Sequence, residues 1–414
     1  MTMPMHSQDE KLMQSALAMA RRGLGQTGAN PSVGCLVVQE TAKPRPSEND
    51  SAAGSPDEST DDKTKDDKAK ECRTYEIIAR AVTGNGGTPH AEPQALAKAG
   101  KDAKGATLYV TLEPCNHHGK TPPCTEAIIK AGIKRVVIAA TDKNPKVAGS
   151  GIARLEAAGI TVSTGVCEQA ARAGLAGHFK VQTEGRPHTI VKMAISQDQL
   201  ILPGKREGED KGPVWVTNHL ARRRAALIRA EVDAILVGTQ TALIDDPALT
   251  CRLEGLLTRS PRPIILDKDL KLPETLQLFS NMNERQPIIV HAADSSPEKQ
   301  EKIAQYNTRN ADLLPVGLTK TGQLDLAELG QNLAKRGITR LLVEGGPTVA
   351  KSYLQMGLAD ELLIFQGGFN VGSQGALPFG TETLDWALSQ GPFTLNNRLK
   401  LGDNTMCRYQ RSQP

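Results

Sequence analysis

The sequence predicts two consecutive α/β domains. Three observations carry this. Short apolar runs alternate with stretches of helical periodicity along most of the chain. The alternation stops at Glu184-Gly185-Arg186-Pro187 and resumes beyond it. The length of 414 residues leaves room for two or three domains, and 39% hydrophobic with 23% charged residues is a globular composition. Aromatic residues make up only 3%, so the cores must be built from Leu, Ile, Val and Ala.

In the first half, Asp9 to Arg22 reads as a helix, with Leu12, Met13, Ala16, Leu17 and Ala20 at helical spacing and Gly23 as a stop. Val33 to Val38 reads as a buried strand. Thr41 to Cys72 is rich in Pro, Ser, Asp, Glu and Lys and reads as a disordered insertion between two strands. Arg73 to Val82 resumes as a strand, and Gly84-Asn85-Gly86-Gly87 is a tight loop. Helices follow at Ala91 to Ala99 and Cys124 to Ala131, strands at Ala106 to Leu112 and Arg135 to Ala139, and a last helix at Cys167 to Thr183. Such alternation predicts parallel strand pairing.

Beyond Pro187, strands are expected at Thr189 to Ile195, Ala234 to Val237, Pro263 to Leu266, Pro287 to His291, Arg340 to Val343 and Glu361 to Phe365. Helices are expected at Asn218 to Ala230, Pro297 to Tyr306, Leu326 to Arg336 and Pro347 to Met356. The expected domains are therefore 1–184 and 188–414, the first carrying the 41–72 insertion.

Composition excludes several function classes. Fifty Lys and Arg against 46 Asp and Glu leave a net charge of +4, too small to imply a polyanionic partner, so no nucleic acid is expected. There is no run of 18 apolar residues and no apolar signal core in Met1 to Glu10, so the expectation is a cytoplasmic protein without a membrane partner. The seven cysteines are scattered and odd in number, which is no disulfide framework.

The sharpest chemical signal is His90-Ala91-Glu92, followed by Pro114-Cys115 and, after eight intervening residues, Cys124. One imidazole and two thiolates suit Zn²⁺, and three protein ligands leave a fourth tetrahedral position for water. An ion held this way brings the pKa of its water to around 7. Glu92, at the start of the helix that His90 precedes, is placed to carry protons to and from that water as the catalytic acid–base. The helix dipole favours its carboxylate form and should also lower the pKa of Cys124.

Thr111 to Cys124, including His117-His118-Gly119-Lys120-Thr121-Pro122-Pro123, resembles the zinc motif of the bifunctional riboflavin-biosynthesis deaminase/reductases. Asn30 to Cys35 and Asn144 to Gly149 resemble two further stretches of that family's deaminase half. The resemblance implies a cytidine-deaminase-like domain followed by a dihydrofolate-reductase-like domain. It implies zinc-dependent removal of the 2-amino group of a phosphorylated pyrimidine, 2,5-diamino-6-ribosylamino-4(3H)-pyrimidinone 5′-phosphate. NADPH-dependent reduction of the ribosyl group to ribityl follows. It also implies a homo-oligomer. His117, His118 and Lys120 would lie near the substrate, with Lys120 a candidate phosphate partner. Pro93 departs from the aliphatic residue usual there, at a first-turn position where proline is tolerated.

In the second half, Glu344-Gly345-Gly346-Pro347-Thr348 follows a predicted strand and opens a helix, where free N–H groups can hold phosphate. Ala225 to Arg252 resembles the family's reductase signature. By position, the resemblance implies cofactor contacts at Ala194, Trp215, Thr241, Asp245, Gly346, Pro347, Thr348, Val349, Ala350, Lys351 and Ser352. It implies substrate contacts at Arg229, Leu249, Arg252 and Glu344, the arginines suiting phosphate. Gln197-Asp198-Gln199-Leu200 replaces the usual Leu-Asp-Gly-basic run, and Pro213 replaces a serine. These departures leave a second reading, an active deaminase fused to a degraded reductase. A non-catalytic zinc- and nucleotide-binding protein and an RNA-editing deaminase are the remaining alternatives.

Overall fold

The computed structural model describes residues 6–43, 72–119, 121–144, 147–202, 215–279, 285–294, 296–308 and 311–412. The chain packs as two compact units. The first comprises Met1–Met19, Val33–Val82 and Pro89–Ala171, and the second Ala20–Ser32, Thr83–Thr88 and Arg172–Pro414.

The order of elements begins with α1 (His6–Arg22), β1 (Gly34–Lys43), β2 (Cys72–Val82), α2 (Ala91–Ala99), β3 (Thr107–Leu112), α3 (Cys124–Lys130) and β4 (Arg135–Ala140). It continues with α4 (Ser150–Ala157), β5 (Thr161–Thr164), α5 (Glu168–Gly174) and α6 (Ala176–Glu184). The first five strands form a sheet in the order β2-β1-β3-β4-β5. Only β3, β4 and β5 are parallel, as predicted for the whole sheet; β1 runs antiparallel to both β2 and β3. The β1–β2 register runs from Gly34 opposite Val82 to Lys43 opposite Cys72, so consecutive strands lie side by side as antiparallel neighbours. Residues 41–43 and 72 are thus strand rather than insertion; the rest, 44–71, lies outside the described residues. The predicted helix Cys167 to Thr183 is two helices, interrupted at Leu175.

The second unit contains β6 (His188–Ile195), α7 (His219–Arg229), β7 (Ala234–Gly238), α8 (Thr239–Asp245), β8 (Arg262–Leu266), β9 (Ile288–Ala292), α9 (Pro297–Thr308) and β10 (Asp312–Val316). There follow α10 (Leu326–Lys335), β11 (Arg340–Val343), α11 (Pro347–Gln355), β12 (Glu361–Gln366), α12 (Leu384–Ser389), β13 (Phe393–Leu401) and β14 (Asn404–Arg411). The nine strands run β10-β9-β8-β7-β11-β6-β12-β14-β13. Pairing is parallel from β10 to β12 and antiparallel for β14 and β13.

Alternate residues of each central strand feed opposite cores. Leu236, Leu341 and Leu362 pack on one face, and Ile235, Leu342 and Leu363 on the other. Both faces are buried, which is why these strands read as unbroken apolar runs. The chain passes from α6 to β6 through Gly185, left-handed at φ 67°, and Arg186, whose guanidinium grips Asp360 at 2.7 and 2.9 Å. The neighbouring ends of β6, β7 and β11 leave a carboxyl edge of the kind where open α/β sheets bind ligands. Among the described residues no helix is long and apolar enough to cross a membrane.

Candidate active sites

In the first unit, β2 ends at Val82 and a short turn delivers His90 to the N-cap of α2. His90 keeps extended backbone angles and spends no side-chain bond on capping, so its imidazole is free to bind elsewhere. Cys115 lies three residues past the end of β3, and Cys124 opens α3. Cys124 Sγ is 3.3 Å from His90 Nδ1, and Cys115 Sγ is 3.7 Å from it. All three donor atoms lie within 4.8 Å of one another.

These spacings fit one ion. A tetrahedral zinc with ordinary Zn–N and Zn–S lengths sets its nitrogen and sulfur donors about 3.6 Å apart. The donor set of one imidazole and two thiolates is also the one zinc favours. Cys115 is held down at about 4, chiefly by the hydrogen bond from Cys124, with His90 adding to it. The thiol of Cys124 is pushed up, first by donating to Cys115 and then by burial. At Cys124 these two effects outweigh the lowering expected from the helix start.

Glu92 sits in the first turn of α2 and is 4% exposed. Burial pushes its carboxyl up to about 7, against the opposing pull of its own backbone N–H, His90 and Cys124. Desolvation thus outweighs the helix dipole expected to keep it ionised. His117 and His118 are exposed and stand outside the donor cluster. Lys120 lies outside the described residues.

In the second unit, Glu344 follows β11 directly and Arg229 ends α7. The guanidinium meets the carboxylate with two bonds of 2.9 Å, and its Nη1 donates to the Thr250 carbonyl at 3.0 Å. Lys192 on β6, which the sequence analysis did not single out, brings its ammonium to 3.6 Å from Glu344. Burial alone would raise Glu344, but Arg229 and Lys192 overcome it and hold the carboxyl at about 2. Lys192 could have been noticed as the one lysine in the apolar run Ile190 to Ile195.

Gly346 N donates to Thr241 Oγ1 at 3.0 Å, joining two of the predicted cofactor positions. A Cβ on Gly345 would meet Gly238 N at 3.0 Å, so the ends of β11 and β7 approach as closely as glycine allows. Pro347 opens α11 as predicted, and Thr348 is exposed beside it. Val349 and Ser352 are half-buried, whereas Ala350 is only 1% exposed and belongs to the core. Lys351 turns away to pair with Glu382 at 3.0 Å. Ala194 is half-buried on β6, and Asp245 is exposed at the end of α8. Trp215 is exposed, with the Arg222 guanidinium 4.9 Å over its ring. Leu249 is buried at φ 50° next to Thr250, and Arg252 is exposed. The structure thus ties Arg229, Glu344 and the Leu249–Thr250 turn together. It commits most of Arg229's donors to protein groups rather than leaving them open to a phosphate.

Two family models match the chain. The cytidine and deoxycytidylate deaminase zinc-binding region matches residues 6–140, and the RibD C-terminal domain matches 187–403. The riboflavin biosynthesis protein RibD of Escherichia coli is 36% identical over 365 residues, covering 86% of this chain and 87% of that protein. Its counterpart in Aquifex aeolicus is 35% identical over 357 residues, covering 86% of each chain. The solved structure of Acinetobacter baumannii RibD aligns with a TM-score of 0.76 at 30% identity, covering 99% of this chain and 100% of that one. The Thermotoga maritima diaminohydroxyphosphoribosylaminopyrimidine deaminase/5-amino-6-(5-phosphoribosylamino)uracil reductase aligns at 0.74 with 29% identity, covering 98% and 99%. With both halves matched in order and nearly end to end, the chain belongs to the RibD family of bifunctional riboflavin-biosynthesis deaminase–reductases.

Proposed function

We propose that the 1–184 half hydrolyses the 2-amino group from 2,5-diamino-6-ribosylamino-4(3H)-pyrimidinone 5′-phosphate, and that the 188–414 half then reduces the ribosyl group with NADPH. His90, Cys115 and Cys124 would hold zinc. When bound, the ion supplies a Lewis acid that makes water nucleophilic at neutral pH. Glu92 is the proton carrier: a carboxyl near 7 can both accept a proton from the attacking water and return it to a ring nitrogen or to departing ammonia. Its burial also keeps bulk water from short-circuiting that transfer.

In the reductase half, the cofactor supplies the hydride and the chain orients the sugar. Ala194, Trp215, Thr241, Asp245 and the span Gly346 to Ser352 are the proposed cofactor contacts, with the exposed Thr348 better suited than the core side chain of Ala350. Glu344, Leu249, Arg252 and Arg229 are the proposed substrate contacts. Arg229 acts by holding Glu344 ionised, Lys192 joins it, and Arg252 is the freer phosphate partner. The departures at Gln199 and Leu200 leave this ion group intact, which favours a working reductase over a degraded one. We further place the enzyme in the cytoplasm as a homo-oligomer that acts without nucleic acid or membrane.

The reading rests on one observation, the convergence of His90, Cys115 and Cys124 beside a buried carboxyl. Ammonia release from the diaminopyrimidinone nucleotide tests it. Glu92→Gln should retain zinc and lose ammonia release by at least about 100-fold. Full turnover in that variant would remove Glu92 from the mechanism.

A further inference from the structure

Glu113 is a charged residue that the mechanism does not use, yet it is only 3% exposed. It stands between the end of β3 and the Pro114-Cys115 turn. Its backbone N–H donates to Ala140 at 2.9 Å, extending the β3–β4 ladder by one rung. Its carboxylate accepts four backbone N–H groups. Asp142 and Gly149 donate to Oε2 at 3.3 and 3.1 Å, and Gly151 and Ile152 donate to Oε1 at 3.0 and 3.4 Å. Two of these belong to the first turn of α4, where unsatisfied N–H groups and the helix dipole favour an anion.

Two further contacts join the same partners. Asn116 Nδ2 donates to the Ser150 carbonyl at 3.3 Å. A Cβ on Gly151 would lie 2.1 Å from the Pro114 carbonyl, so α4 begins in direct contact with the ligand turn. Residues 113 and 116 are hydrogen-bonded to the start of α4 and Pro114 lies against it, with Cys115 among them. On its other side Cys115 is tied to α3: its carbonyl accepts from Thr125 N at 3.3 Å and its sulfur from Cys124 N at 3.4 Å.

The geometry points to Glu113 as a positioning residue that pins the Cys115 turn to the start of α4 and thereby sets how tightly the site holds its metal. This rests on the assignment of His90, Cys115 and Cys124 as zinc ligands. Glutamine at 113 would turn an NH₂ group toward two of the four N–H donors and leave them without an acceptor. Burial makes that loss costly. Aspartate keeps the charge on a shorter arm and should recover part of the function.

The test uses the full-length zinc-loaded protein. Zinc transfer to an excess of chromogenic chelator is timed for wild type, Glu113→Gln and Glu113→Asp, with NADPH oxidation on deaminated substrate as the check that the second half is folded. Glu113→Gln should release zinc about 10-fold faster or more, and Glu113→Asp should fall between. With cobalt(II) in place of zinc, Glu113→Gln should also shift or weaken the thiolate-to-cobalt absorption, which a change in fold stability alone would leave unmoved. If Glu113→Gln does not fold, Glu113→Asp decides: faster release supports the role and a wild-type rate overturns it. A wild-type protein that takes up no zinc brings down the metal-site assignment and this inference with it. A wild-type protein that holds zinc, beside a folded Glu113→Gln that releases it at the same rate, overturns only the role of Glu113.

Discussion

Arg229 and Glu344 form a two-pronged pair, Nε to Oε1 and Nη2 to Oε2, each at 2.9 Å. The third prong, to the Thr250 carbonyl, makes the guanidinium a bracket between β11 and the Leu249–Thr250 turn. Lysine cannot reproduce this, because an ammonium is a point donor without the planar fork. Arg229→Lys should lower NADPH oxidation on deaminated substrate about 100-fold, corresponding to about 2.7 kcal/mol. Ammonia release should stay at the wild-type rate. A variant that oxidises NADPH normally would detach the pair from the reductase chemistry.

Three buried carboxylates of the second unit predict its acid sensitivity. Burial opposes ionisation in each, and hydrogen-bonding and charged partners outweigh it: Arg229 and Lys192 at Glu344, Arg186, His188 and Lys180 at Asp360, and His188 with Arg408 and Arg340 at Glu361. Each is held at about 2. Unfolded carboxylates titrate near about 4. A folded pKa below the unfolded one adds stability that is fully present above about 4 and drains away as pH falls toward about 2. Both tryptophans, Trp215 and Trp386, lie in this unit, so their fluorescence reports its unfolding. The melting temperature should hold steady from pH 7 to 5 and fall steeply below about 4. A flat profile down to pH 3 would contradict the assignment of these charges.

Gln199 occupies φ 62°, the left-handed region that costs an L side chain about 1 kcal/mol or more. The turn is enforced around it: Ser196 Oγ accepts from Leu200 N at 3.0 Å, and Asp198 accepts from Val371 and Gly372. Gln199→Gly should relieve the strain, partly offset by glycine's greater unfolded-state freedom. Calorimetry should register a net gain of about 0.5–1 kcal/mol, or a rise of about 1–4 °C for a unit of this size. A lower melting temperature would mean that the glutamine side chain makes a compensating contact.

Why some of this was legible from sequence and some was not follows from the residues involved. The central strands announce themselves because Ile235 and Leu236 must each satisfy an apolar face. The clustering of His90, Cys115 and Cys124 is legible because they are reactive types at telling places, the edges of strands and helices. The short α8 and α12, the edge strands β5 and β10, and the terminal hairpin β13–β14 carry weak patterns: β13 is exposed along most of its length. Lys192 and Glu113 escaped notice for another reason. Their roles come from tertiary partners, 152 residues away in the case of Lys192 and Glu344, and no local spacing encodes them.

Metal removal should separate the two activities and unmask one thiol. The three proposed zinc donors all belong to the first unit, and the Arg229–Glu344 pair belongs to the second. Dialysis against a chelator should abolish ammonia release, leave NADPH oxidation on deaminated substrate in place, and be reversed by added zinc. The hydrogen bond from Cys124 then holds Cys115 near 4, so its sulfur is a thiolate throughout the neutral range. An ordinary thiol gains reactivity about tenfold per pH unit below its pKa near 8.5. Cys115 should instead alkylate at a nearly constant rate from pH 6 to 8, and only after the metal is gone. Peptide mapping after limited iodoacetamide treatment identifies the residue. A rate that climbs tenfold per unit at Cys115 would mean that Cys124 does not hold its sulfur ionised, and equal labelling with zinc bound would mean that Cys115 is not a ligand.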